Sequence, residues 1–123
     1  MLILMLAVND PAGMAIAFAN AVNRYTDHVC RLVTLETRYN FMFGKDLHLP
    51  WMAPDELPEI GRLLATADIF HFHMTADEFL SVGPYLPADF IQGKKIVHHH
   101  HGHPDYRADP GKYRRKYAER GRK

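Results

Sequence analysis

Met1-Leu2-Ile3-Leu4-Met5-Leu6-Ala7-Val8-Asn9-Asp10-Pro11 opens the chain. An unbroken apolar run with no alternation describes a strand covered on both faces, the habit of parallel sheets packed between helices. Asn9 or Asp10 can cap a following helix, with Pro11 at its first position, where a missing N–H costs nothing. Met14, Phe18, Ala21, Val22 and Tyr25 then recur at helical spacing and predict one apolar helix face. The opening run lacks a basic start and a cleavage site, and Asn9-Asp10-Pro11 stops it well short of a membrane span. Neither a signal peptide nor a transmembrane segment is expected from it.

Working outward, Val29 to Leu35 reads as a second strand, alternating and β-branched. Residues 37–54 are irregular, with a short strand expected near Leu47-His48-Leu49. Tyr39, Phe41, Phe43 and Trp51 are too apolar for a solvated loop, so this segment is expected to fold onto the core or line a cleft. Leu57, Ile60, Leu63 and Leu64 predict a helix that tolerates Pro58 in its first turn. Ile69-Phe70-His71-Phe72-His73 is a further strand, and Ala76 to about Tyr85 is expected to be helical. Gly93-Lys94-Lys95 turns the chain into a last strand, Ile96-Val97-His98-His99, which runs on into His100-His101-Gly102-His103.

Strands alternating with helices imply a three-layer, Rossmann-like α/β domain with a parallel sheet of four to five strands. With 123 residues, one domain with a modest core is expected. Residues 1–111 form that unit and residues 112–123 a separate basic helix or tail. Seven Lys and Arg against one Glu give this tail a charge of +6, so the rest of the chain carries −5 beneath a net charge of +1. The single Cys30 cannot form an internal disulfide, and a reduced, packed thiol suggests a cytoplasmic location.

In a parallel sheet all carboxyl ends lie on one edge, and ligands bind there, at the crevice where strand order reverses. Asn9-Asp10, His71-His73 and His98–His103 occupy those ends. They are scattered in sequence and expected to converge in space.

The residues that carry this expectation resemble the N-terminal domain of GT-B glycosyltransferases, in the group 1 family of retaining enzymes (family four). The likeness lies in Val8-Asn9-Asp10-Pro11-Ala12-Gly13-Met14 with Ala19-Asn20-Ala21-Val22-Asn23, in Asp68-Ile69-Phe70-His71-Phe72-His73, and in Gly93-Lys94-Lys95-Ile96-Val97-His98-His99-His100-His101-Gly102. The resemblance implies an acceptor-side domain whose C-terminal partner half binds a nucleotide sugar. Of the paired glycines usual in the first loop, only Gly13 has a counterpart. The histidine that faces the reacting sugar corresponds to His101, beside Gly102, as an orienting contact rather than a nucleophile. The family's acidic motif and donor loops belong to the second domain and match nothing here. Turnover by this chain alone is therefore not expected.

Around that assignment, Asn9, Asp10, Gly13, His71, His73, His99, Gly102, His103 and Arg107 are the substrate-binding candidates. Asp10 could orient an acceptor hydroxyl or be simply a helix cap, and free N–H groups at the helix start would suit a phosphate. Arg107, with Asp105, could contact a polar acceptor or form a surface pair. His98 and His99 point to opposite faces, so one of them is expected to pack under a helix.

His71 and His73 with His99 or His101 could also hold zinc. No acidic residue stands at an obvious ligand spacing, and sugar binding is the preferred reading, with no metal or cofactor assigned. The expected partners are a nucleotide sugar and a sugar or lipid-linked acceptor. A missing C-terminal domain or partner chain, an oligomer, and peripheral contact with the inner face of the membrane are each compatible with the sequence. Nucleic acid is not expected. The alternative from another class is a non-catalytic α/β binding module that uses its His cluster for a metal or its basic tail for an anionic partner.

Overall fold

The computed structural model describes residues 1–10, 13–36, 44–74 and 76–99. Five strands, β1 (Leu2–Ala7), β2 (Val29–Thr34), β3 (Leu47–His48), β4 (Ile69–His73) and β5 (Lys95–His99), form one sheet in the order β3-β2-β1-β4-β5. Every pairing is parallel. Helix α1 (Met14–Tyr25) joins β1 to β2, and α2 (Leu57–Thr66) joins β3 to β4. The α/β class and the Rossmann-like three-layer arrangement expected from the sequence are therefore present. The basic segment 112–123 lies outside the described residues.

Alternation along each strand divides the core in two. Leu4, Leu6, Val33, Phe70 and Phe72 face α2 and pack with Ile60, Leu63 and Leu64. Met5, Ala7, Cys30 and Leu32 face α1 and pack with Ala15 and Ala19. The α2 side holds the bulk: Phe70, Phe72, Leu4, Leu6, Ile60 and Leu64 are all fully buried there.

The buried face of α1 differs from the one its large apolar residues predict. Ala15 and Ala19 are buried with Ile16 and Val22 partly so, whereas Met14, Phe18 and Tyr25 are exposed. Small residues let this helix approach the sheet closely, and proximity outweighs side-chain size in choosing the face. Asn23 fixes the far end, accepting from Cys30 N–H and donating to Cys30 C=O, both at 2.7 Å.

The helix expected over Ala76–Tyr85 does not form. After β4 the chain makes turns, a bridge between Val82 and Tyr85, and a short 3-10 turn at Pro87–Asp89 before reaching β5. Local chemistry explains the difference. The Asp77 carboxylate takes the N–H of Phe79 at 2.9 Å in an Asx-type turn, and Gly83 holds φ at +60°, a conformation that ends helices. Pro84 and Pro87 then supply no N–H. Of the aromatic residues expected to fold onto the core or line a cleft, Trp51 is 66 % exposed and so is not part of the core, and Tyr39, Phe41 and Phe43 lie outside the described residues.

Candidate functional site

The strand order reverses around β1. From β1 the chain moves outward through β2 to β3, then returns to the other side of β1 with β4 and β5. The crevice that such a reversal opens lies beyond the carboxyl ends of β1 and β4. Asn9, Asp10 and Gly13 follow β1, and His71 and His73 occupy the end of β4.

Register makes the edge chemically specific. Ala7 aligns with Thr34 on one side and His73 on the other; Thr34 aligns with His48, and His73 with His99. A single transverse row therefore reads His48, Thr34, Ala7, His73, His99 along the carboxyl edge. Aligned residues of parallel strands share a face, and Ala7 fixes that face as the α1 side. His71 lies one pleat deeper on the same side.

Three imidazoles gather at the β4–β5 end of the row. His71 Nε2 and His99 Nδ1 are 3.3 Å apart. The His71 and His73 rings stack at 4.4 Å, nearly parallel, and His73 lies 5.0 Å from His99. Phe18 from α1 meets the His71 ring edge-on at 5.2 Å. His71 and His73 are buried, while His99 is half-buried and opens the cluster towards solvent. One nitrogen from each of the three rings falls within 4.8 Å of the other two. His98 turns to the opposite face, where its ring stacks on Phe72 at 5.4 Å. His98 and His99 thus point to opposite faces, as alternation requires.

Helix α1 starts at Met14 with Gly13 at the N-cap position, later than expected, so neither Asn9 nor Asp10 is the residue directly before it; Asp10 caps the helix from farther back. Its two carboxylate oxygens accept from the N–H groups of Ala15 and Ile16, both at 3.0 Å, and Asp10 is buried. Gly13, at φ +69°, makes the left-handed turn that lets the chain enter α1, and its N–H donates to Asp10 C=O at 3.1 Å. The N–H groups of Ala15 and Ile16, expected from the sequence to be free for a phosphate, are instead taken by this carboxylate, which also complements the helix dipole. Asn9 is half-buried between β1 and this cap.

The other end of the row carries a second polar pair that no motif indicated. Thr34 Oγ1 and His48 Nδ1 are 2.6 Å apart and buried. Trp51 sets its ring edge-on to His48 at 4.5 Å, and the Lys45 ammonium lies 5.1 Å from the Trp51 ring centre. Burial holds the His48 imidazolium below its ordinary range, and the nearby Lys45 charge adds to the effect. The available signal was that Leu47-His48 is a third strand ending in histidine. Met74, directly after His73, was also missed. It holds φ at +57°, and its N–H donates to His99 C=O at 2.8 Å. A non-glycine residue in that region stores strain, here at the exit from β4.

His71, His73 and His99 are thus brought together, with Asp10 and Gly13 following the neighbouring strand. His101, Gly102, His103, Asp105 and Arg107 lie outside the described residues. Among the described residues no helix is long and apolar enough to cross a membrane. Comparison of the chain with protein-family profiles, with curated proteins and with solved structures finds no match.

Proposed function

We propose that this chain is the acceptor-side half of a retaining glycosyltransferase that uses a nucleotide-activated sugar. The observation that carries the reading is the His48–Thr34–Ala7–His73–His99 row at the edge where strand order reverses. Sugars present dense arrays of hydroxyls. Imidazole and hydroxyl side chains, which both donate and accept, suit them better than a fixed charge does. The likeness of the strand-end motifs to group 1 enzymes supports the same assignment.

In this reading the chain binds and orients the acceptor. Half-buried His99 supplies a ring nitrogen at the sheet edge with the buried His73 ring behind it, Asn9 and the Asp10-capped turn form the adjoining wall, and His101 is the orienting contact to the reacting sugar. Positioning is a large part of what such an enzyme contributes, because holding two substrates in reacting geometry removes much of the entropic barrier. Stabilisation of the leaving diphosphate belongs to the donor half.

The test is a titration of isotope-labelled protein with simple glycosides and sugar phosphates. Perturbed amide signals are expected at Val8–Asp10, His73–Met74 and His99. Signals that move elsewhere, or not at all, would sink the reading. A panel of nucleotide sugars is expected to give no turnover with the chain alone, and turnover would overturn the division of labour between halves.

A further inference from the structure

We propose that His71, His73 and His99 form a three-imidazole site for a divalent transition ion of the zinc class. This proposal goes beyond the glycosyltransferase reading and does not depend on it.

Geometry carries it. A tetrahedral zinc ion with bonds of about 2.0–2.1 Å holds its ligand nitrogens roughly 3.4 Å apart. The 3.3 Å between His71 Nε2 and His99 Nδ1 is that separation. With His73 included, one nitrogen from each of the three rings falls within 4.8 Å of the other two. The remaining adjustment falls on rotation about χ2, which is a soft torsion in histidine. The donor set is chemically coherent too. Neutral imidazole is a borderline-soft ligand suited to zinc, cobalt, nickel or copper and poorly suited to magnesium or calcium.

The surroundings hold the rings in place before any ion arrives. Strand register fixes the Cα positions of His73 and His99, the His71 and His73 rings stack, and Phe18 closes the far edge of His71. His71 and His73 come from the buried interior, whereas His99 is half-buried. The fourth position therefore opens towards solvent through the His99 side. Three protein ligands with one open position is the arrangement of a site that takes a water or an anionic ligand, and it differs from a closed structural site.

The test must separate this site from the loop histidines that follow it, His100, His101 and His103. Untagged full-length protein is titrated with Co2+, read by its visible ligand-field bands, and the ion is then displaced with Zn2+. The wild type is expected to develop tetrahedral bands that saturate at a single ion per chain. A combined His100→Ala, His101→Ala, His103→Ala variant is expected to keep them, and His99→Gln to lose them. Bands that vanish in the loop variant, that survive His99→Gln, or that never form in the wild type overturn the proposal. Should His99→Gln fail to fold, the imidazole nitrogen spectrum of wild-type protein decides. Zn2+ must shift the His71, His73 and His99 signals together, and shifts confined to the loop histidines refute the site.

Discussion

Ala7 is the register partner of His73, so the smallest side chain of the edge row stands beside a fully buried imidazole. On the other side of Ala7 is Thr34, and above it Ala15 brings the start of α1 down onto the sheet. This pairing of a methyl group with an aromatic ring sets the depth of the edge. Ala7→Leu is expected to destabilise the fold by about 1–3 kcal/mol through overpacking. Urea denaturation measures the loss. A variant as stable as wild type would show that α1 does not need this close approach.

Asp10 binds two N–H groups at the start of α1 with one carboxylate. Asp10→Ala is expected to cost about 0.5–2 kcal/mol, the usual range for a lost helix cap. Asp10→Asn is expected to cost less, because its amide oxygen still accepts a bond. Equal losses in the two variants would mean that charge, and not hydrogen bonding, dominates the cap.

His48 gives the fold a pH dependence of definite sign. Burial lowers its folded pKa beneath the ordinary 6.5. The unfolded chain therefore binds a proton more readily than the folded one, and stability rises with pH across that interval. The contribution is complete above 6.5 and is lost as pH falls through the depressed folded value. Denaturant stability at about pH 5 is expected to lie below that at about pH 7.5, with a smaller difference in His48→Gln. An unchanged difference in that variant would assign the effect to other groups.

Cys30 is fully buried, and its thiol is pushed up to about 11, first by desolvation and then by the negative charge of Asp46. The thiolate is the reactive form. Alkylation at about pH 8 is therefore expected to be slow in folded protein and fast once urea exposes the residue. Rapid labelling of the native state would contradict this packing of β2 beneath α1.

Much of this was legible in the chain because parallel strands write themselves as apolar runs. Residues 1–8, Val29 to Leu35 and Ile69–His73 each read directly as strands, and the histidines at β4 and β5 marked the edge that carries the candidate site. What stayed hidden depended on contacts that periodicity does not encode. On α1, Phe18 outranks Ala15 in hydrophobicity, yet the sheet chose the alanines because they permit close packing. Between β4 and β5, Ala76 to about Tyr85 was expected to be helical, while the Asp77 turn and the Gly83-Pro84 corner prevented it. The Thr34–His48 pair belongs to no motif; only the alignment of β2 with β3 brings its two members together.

Strand β5 has an unusual property. Its sequence Ile96-Val97-His98-His99 consists of two like pairs, so a slip by one position would exchange Ile96 for Val97 and His98 for His99 on each side of the sheet. Each face would still receive one aliphatic side chain and one imidazole, so alternation, which ordinarily dictates strand alignment, discriminates weakly here. Main-chain bonds hold the observed alignment at both ends: Lys95 N–H donates to Asp68 C=O at 3.3 Å, and His99 C=O accepts from Met74 N–H at 2.8 Å. The Met74 N–H thus ties the end of β5 to the strained turn after β4, at the position where His99 and not His98 faces the α1 side.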